Sequence, residues 1–224
     1  DLVRDLELPK LRQMIRLDGS YDEAMAAASP ERPVNGRNAD DHYVIYTGGT
    51  TGAPKGVVWR NEDLLRAALN AGRYGAPMES VEQLAAEAAA NESPMTLLAC
   101  GPMMHGGSQW ILGNAHVAGY TVALFTEPHF DAAKILDLVD AAGVVSLTFL
   151  GDAMGRPVAE AILAEPDRWQ LTSLAAVSNG AAPLSDGVRE EIRRALPGRF
   201  ILDSYGSSES GAGGSRMDDG SEAS

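Results

Sequence analysis

From residue 96 onward the chain alternates short apolar runs with longer stretches in which apolar residues recur every three or four positions. The runs 96–100, 121–125, 144–150, 174–178 and 200–204 have the length and composition of strands. Between them, 107–118, 131–142, 153–165 and 185–196 have helical spacing. Ile135, Leu136 and Val139 fall on one side of the second of these helices, and Ser185 stands where it can cap the last. Strands alternating with helices of about three turns predict an α/β fold: a mostly parallel sheet with helices on both faces. Such sheets carry their binding loops at the carboxyl ends of the strands.

Before residue 96 the pattern is less regular. Residues 11–17 are strand-like and 21–28 suit a short helix. Ser29-Pro30-Glu31-Arg32-Pro33 then breaks the pattern, and 35–41 is a polar loop. Tyr43-Val44-Ile45 and Val57-Val58-Trp59 read as two short strands. Residues 61–71 read as a helix with Asn61 as N-cap and Leu64, Leu65 and Leu69 at helical spacing, and 80–91 as another. At the other end, 211–224 is mostly Gly, Ser and Asp with Met217 as its one sizeable apolar residue, which predicts a mobile tail.

Composition narrows the partners. The 224 residues carry 18 basic and 31 acidic side chains, a formal net charge of −13, which disfavours nucleic acid and anionic membranes. No stretch is long and apolar enough to predict a transmembrane segment, and the start lacks a signal-peptide pattern. A single cysteine, Cys100, excludes an internal disulfide and suits a reducing, cytoplasmic setting. Its place in Leu97-Leu98-Ala99-Cys100 predicts burial. Lysine occurs three times, as Lys10, Lys55 and Lys134.

The densest chemistry lies between the two early strands, in Tyr46-Thr47-Gly48-Gly49-Thr50-Thr51-Gly52-Ala53-Pro54-Lys55-Gly56. Its glycines let backbone N–H groups turn toward an anion. Thr47, Thr50 and Thr51 add hydroxyls and Lys55 a positive charge. That set suits a polyphosphate, with charge-assisted hydrogen bonds worth about 1.5–3 kcal/mol each. It is not a Walker loop, because Pro54 precedes Lys55 and Gly56 follows it. Three further segments follow predicted strands. They are Gly101-Pro102-Met103-Met104-His105-Gly106-Gly107, Val177-Ser178-Asn179-Gly180-Ala181-Ala182-Pro183 and Asp203-Ser204-Tyr205-Gly206-Ser207-Ser208-Glu209-Ser210-Gly211. The last holds an aromatic ring able to stack on a base, hydroxyls, and a carboxylate suited to Mg²⁺. Trp110 reads as a core residue that also suits a pocket wall.

The first string closely resembles the phosphate loop of the adenylate-forming superfamily, which includes acyl-CoA synthetases, and Tyr205 to Glu209 resembles its Tyr-Gly-x-Thr-Glu motif, with Ser208 in place of threonine. Four segments occur in family order over residues 43–211. The resemblance implies ATP-dependent activation of a small-molecule carboxylic acid to an acyl-adenylate and then, with CoA, to a thioester. It implies that Thr47, Gly48, Gly49, Thr50, Thr51, Gly52 and Lys55 contact ATP phosphates. Gly180, Ala181 and Ala182, with Asp203, Ser204, Tyr205 and Gly206, border the nucleotide, and Tyr205 stacks on adenine. Ser208 reaches the α-phosphate, and Glu209 with Thr47 holds Mg²⁺. His105 lines or gates the acid pocket, so Lys55, His105 and Glu209 are the candidate catalytic residues. Likeness in 100–110 and 205–214 points to actinobacterial ligases of fatty or sterol-side-chain acids.

The same resemblance makes 1–210 a partial AMP-binding domain of the family's large N-terminal part, with the C-terminal lid domain and its late lysine outside the sequence. A chain of that kind is expected not to complete thioester formation alone and to self-associate. Two other classes compete. Gly206-x-Ser208-x-Ser210 nearly matches a nucleophile elbow, so Ser208 with His105 and Asp203 would make a serine hydrolase. A nucleotide-binding module without turnover is the other.

Overall fold

A computed structural model of the chain describes residues 9, 14–15, 17, 19–31, 36–48, 52–69 and 78–218. The chain divides into two compact units, Asp1–Arg37 and Asn38–Ser224. In the first, helix α1 spans Ser20–Ala27. Most of the strand expected over 11–17 lies outside the described residues, and Met14, Ile15 and Leu17 are in no strand.

The second unit opens with an antiparallel hairpin, β1 (His42–Thr47) and β2 (Lys55–Arg60), in which Tyr43 faces Trp59 and Thr47 faces Lys55. Period-two alternation puts Tyr43, Ile45, Val57 and Trp59 on the covered face and Val44, Tyr46 and Val58 on the open one. Helix α2 (Asn61–Asp63) follows and widens into a π-helical turn over Leu64–Ala68. Here the structure corrects the expected cap. The residue before α2 is Arg60, which has no capping side chain, and Asn61 is already helical. The start of the helix is met instead by backbone: Asn61 N–H donates to Asp41 O (2.8 Å) and Glu62 N–H to Ala39 O (3.2 Å).

The remaining elements are α3 (Val81–Ala89), β3 (Thr96–Ala99), α4 (Gly106–Ala118), β4 (Thr121–Ala123), α5 (Ala132–Ala142), β5 (Val144–Phe149), α6 (Asp152–Ala164), β6 (Ala176–Asn179), α7 (Asp186–Ala195), β7 (Phe200–Ser207) and β8 (Gly211–Asp218). Local chemistry explains the helix starts. Ser80 Oγ accepts from Gln83 N–H (3.1 Å) and Asp131 Oδ1 from Lys134 N–H (3.1 Å). The strands form one sheet in the order β4-β3-β5-β6-β7-β8. β4 to β7 are parallel, and β8 runs antiparallel to β7. Leu98, Leu147, Phe149, Val177 and Ile201 from the strands meet Ile135, Leu136, Val139, Val158 and Ile192 from the helices in one buried core. The α/β expectation holds.

The expectation of a mobile tail from Gly211 is corrected over Gly211–Asp218, which is the last strand of the sheet. Two arginines of α7 hold its end: Arg189 pairs with Asp218 and Asp203, and Arg193 with Asp218. The glycines of β8 serve packing rather than looseness. Tyr205 faces Gly214 across the strands. A Cβ at Gly213 would stand 2.7 Å from the Tyr205 ring, and one at Gly214 3.0 Å. The ring lies on this bare shelf.

Candidate active site

The parallel strands end together, and the segments after them form one edge. After β3 comes Gly101 to His105, after β5 Leu150-Gly151, after β6 Gly180 to Pro183, and after β7 the turn Ser208-Glu209-Ser210. A cavity of about 450 Å³ opens there, walled by α4 through Ser108, Trp110, Ile111 and Asn114, and by His105, Gly180, Ala181, Ser204, Tyr205 and Ser208 from the loops. A second, more open cavity of about 480 Å³ lies beside it, with Ala182, Asp203 and Arg216 in its lining. Asn179, Ala181, Ser204, Tyr205 and Gly206 border both. The Tyr205 side chain is 71% exposed, so the ring face away from the glycine shelf is open.

His105 is the N-cap of α4, its Nδ1 accepting the Gly107 N–H at 3.1 Å. In the neutral ring the proton therefore sits on Nε2, leaving a donor at the cavity edge. Ser207 shapes the β7–β8 turn: its Oγ accepts from Glu209 N–H (3.2 Å) and Ser210 N–H (3.1 Å). Glu209 is consequently displayed on an exposed turn, while Ser208 is half-buried. A Cβ built on Gly106 would stand 3.3 Å from Ile45 Cδ1 and 3.4 Å from Ser208 Oγ. The hairpin, the start of α4 and the β7–β8 turn thus meet at Gly106.

Asn179 is the residue the sequence reading passed over. It is 5% exposed and joins the loops after β5 and β6 to strand β7. Its Oδ1 accepts the Gly151 N–H (2.7 Å), and its Nδ2 donates to Ala182 O (3.0 Å) and Asp203 Oδ1 (3.2 Å). Beside it Ala181 has φ 62°, unusual for a residue with a side chain, and Ala182 N–H donates to Gly180 O at 2.7 Å. Such tight, strained turns persist where surroundings over-determine them, commonly at ligand sites. The signal in sequence is slight: one polar residue closing an apolar strand before Gly-Ala. Arg216, also unforeseen, is exposed in the second cavity and makes no ion pair with any described residue. Asn114 lines the first cavity, and its Oδ1 is buried with no hydrogen-bond partner among the described residues.

The residues expected from the hairpin are only partly in view. Gly49, Thr50 and Thr51 lie outside the described residues. Thr47, Gly48, Gly52 and Lys55 do not line either cavity. Lys55 is exposed at the start of β2 and forms no ion pair with a described residue. Asp203 lines the second cavity, but its carboxylate is engaged by Arg189 and Asn179. That removes the hydrolase triad. Asp203 faces an arginine rather than His105, and His105 Nδ1 accepts a proton bond where an orienting aspartate would need it to donate. Among the described residues no three His, Cys, Asp or Glu gather to hold a metal. Mg²⁺ does not require such a cluster, since it keeps waters and shares phosphate oxygens with one or two carboxylates. An exposed Glu209 that makes no ion pair with a described residue and stands beside hydroxyls fits that chemistry. No described helix is long and apolar enough to cross a membrane.

The chain is 36% identical over 220 residues to medium-chain acyl-CoA ligase Mig of Mycobacterium avium, covering 92% of this chain and 40% of that protein. It is 41% identical over 199 residues to a medium/long-chain-fatty-acid–CoA/3-oxocholest-4-en-26-oate–CoA ligase of Mycobacterium tuberculosis, covering 88% of this chain and 36% of that one. The chain thus spans less than half the length of these relatives. Its fold matches ATP-bound MatB from Rhodopseudomonas palustris with a TM-score of 0.66 at 23% identity, over 90% of this chain and 36% of that one. The family model described as AMP-binding enzyme matches residues 3–224, and the chain belongs to that family.

Proposed function

We propose that the chain forms the acid- and nucleotide-binding part of an AMP-forming acid–thiol ligase. A carboxylate oxygen attacks the α-phosphorus of ATP, the bond to the β-phosphate breaks, and pyrophosphate leaves with the electron pair. A thiol, that of CoA, then displaces AMP and takes the acyl group as a thioester. The observation that carries this reading is the shared border of the two cavities, Asn179, Ala181, Ser204, Tyr205 and Gly206. The cavities adjoin along these residues, so an acid under α4 and a nucleotide beside Asp203 would meet at that shared border, where in-line attack needs them in near contact. Positioning of this kind is worth about 7–11 kcal/mol when reactants are fully aligned.

In this reading Tyr205 offers its open face to adenine, bordered by Gly180, Ala181 and Ala182. Ser208 donates to the α-phosphate, while Lys55 and the amides of the glycine-rich loop neutralise the phosphates. His105 gives its Nε2–H to the carboxylate being activated. Thr47 and Glu209 would hold Mg²⁺, which supplies charge neutralisation to the phosphates when bound. The names of the relatives support a fatty or sterol-side-chain acid as substrate, and CoA as thiol. A cytoplasmic setting suits Cys100, whose thiol burial pushes up to about 12, leaving it inert. Self-association of the isolated chain belongs to the same reading, and sedimentation checks it.

The test is acid-dependent pyrophosphate release, screened over fatty acids of graded length and sterol-side-chain acids. Release that depends on the acid, and discriminates among acids, is the expected result. ATP binding without acid-dependent release from the protein carrying this chain would overturn it in favour of a nucleotide-binding module.

A further inference from the structure

We infer that Trp59 is a positioning residue that ties the glycine-rich hairpin to the Ser208–Glu209 turn and so sets the spacing of the two elements that face the phosphates. The inference rests on the nucleotide reading above. Its observation is one hydrogen bond: Trp59 Nε1–H donates to Ser208 O at 2.7 Å, across 149 positions of sequence. Trp59 lies on β2, four positions after Lys55 on a strand that starts with that lysine. Ser208 immediately precedes Glu209. The bond therefore joins the strand that carries the cation to the turn that carries the hydroxyl and the carboxylate.

The indole is well placed to fix a distance. It is 9% exposed and packs with Leu64, Ala68 and Trp110. The Trp59 and Trp110 rings meet edge to face with centroids 6.4 Å apart, and Tyr43, opposite Trp59 in the hairpin, lies 6.2 Å from Trp110. A side chain so held has few rotamers to lose, and its N–H points at a carbonyl rather than at solvent. Trp110 in turn walls the first cavity. Nothing else in the β7–β8 turn is hydrogen-bonded to the hairpin among the described residues; Ser207 and Ser210 bond only within the turn. Apolar links are the approach of Ile45 at Gly106 and of Ala68 at Gly211. Among the described residues the tether thus has no polar substitute when its donor is removed.

The test uses the full chain with ¹⁵N-labelled indoles. Its three tryptophans, Trp59, Trp110 and Trp169, give three indole signals, assigned by single Phe substitutions. The Trp59 N–H is expected to exchange with solvent at least about tenfold more slowly than a free indole, and to shift on addition of MgATP. The Trp169 signal, bonded to Asp137 in the body of the fold, should stay still. Trp59→Phe keeps an apolar ring and loses the donor, and should weaken MgATP binding about five- to tenfold. Leu64→Ala opens a cavity in the same cluster without touching the bond. It should lower Tm by several degrees and leave MgATP affinity within about twofold. A Trp59 N–H that exchanges as fast as a free indole would overturn the tether. So would a Leu64→Ala variant that weakens MgATP as much as Trp59→Phe. If the chain binds no MgATP, the nucleotide reading fails and the spacing role falls with it, whereas a protected Trp59 N–H alongside that result still establishes the bond.

Discussion

The sheet body and the glycine-rich hairpin are held together in different ways. The body has a core from five strands and the helices α5 to α7, with Leu98, Leu147, Phe149, Ile135 and Val139 fully buried. The hairpin shares a cluster of four buried residues, its own Trp59 with Leu64, Ala68 and Trp110, and leaves Val44, Tyr46 and Val58 open on its far face. Burial of a side chain contributes about 1.5–3 kcal/mol, so the body dominates stability by number alone. The hairpin carries the cation and the glycines, and the body carries the walls. Stability and ligand chemistry are therefore largely separable, and substitutions should divide along that line.

The largest effect belongs to the body. Phe149→Ala empties the centre of the core and should cost about 3–5 kcal/mol in denaturant unfolding. A cost below about 1 kcal/mol would break the comparison, because the body would then not be where stability resides. Lys55→Ala should do the reverse. Stability should stay within about 0.5 kcal/mol, as for other exposed side chains. MgATP affinity, measured by calorimetry, should fall about ten- to a hundredfold, the worth of a charge-assisted contact. An intact affinity in a protein that melts early would reverse the assignment.

Gly151→Ala sharpens the comparison, since it touches both functions. Gly151 has φ 63°, and a Cβ there would stand 2.7 Å from Ala182 Cβ and from Pro183 O. The left-handed backbone and the clash together should cost about 1–3 kcal/mol. The loop at 180–183 must shift as well, so affinity for the nucleotide should fall in parallel. Loss of stability without loss of affinity would mean that this loop does not border the ligand. Glu209→Gln preserves size on an exposed turn. Its Tm should be unchanged and the Mg²⁺ concentration for half-maximal pyrophosphate release raised severalfold; an unaltered Mg²⁺ curve would remove Glu209 from the metal site.

The smallest effect is a pH dependence in the body. Asp152 begins α6, and hydrogen bonds from Ser185, first from its side chain and then from its backbone N–H, hold the carboxyl below its ordinary 3.8. A carboxyl whose value is lowered by folding stabilises the fold above the unfolded value and loses that contribution as pH falls through the folded one. Below pH 3.8 the Tm of the chain should therefore fall more steeply than that of Asp152→Asn. Parallel curves would assign acid sensitivity elsewhere.

What sequence reveals here depends on where the deciding contacts lie. The alternation after residue 96 is a local signal, because each helix and strand must bury its own apolar face, and the α/β sheet follows from it. β4 is shorter than its apolar run 121–125, since only Thr121–Ala123 find partners on β3. β8 was illegible for the opposite reason. Its Gly, Ser and Asp residues resemble a linker, and what makes them a strand is the Tyr205 ring and the arginines of α7. The π-helical turn at Leu64–Ala68 packs against a distant residue, Gly211, whose Cβ would stand 2.9 Å from Ala68 Cα. In the site, motif residues on strand ends were readable as strings. Asn179 was not, because two of its three hydrogen bonds go to residues far away in sequence, Gly151 and Asp203.

β8 also bears on the order in which the molecule assembles. Ser207 faces Gly211 across a three-residue turn, whereas Ser146 must find Ala176, and Ala176 must find Phe200, each across an intervening helix. Loop closure becomes costlier with length, and hairpins close in microseconds while sheets built on distant pairings form far more slowly. During refolding the β7–β8 ribbon should gain amide protection ahead of the β5–β6 pairing. The turn that displays Ser208 and Glu209 is then among the earliest pieces of native structure, and the cavity wall it completes is among the last.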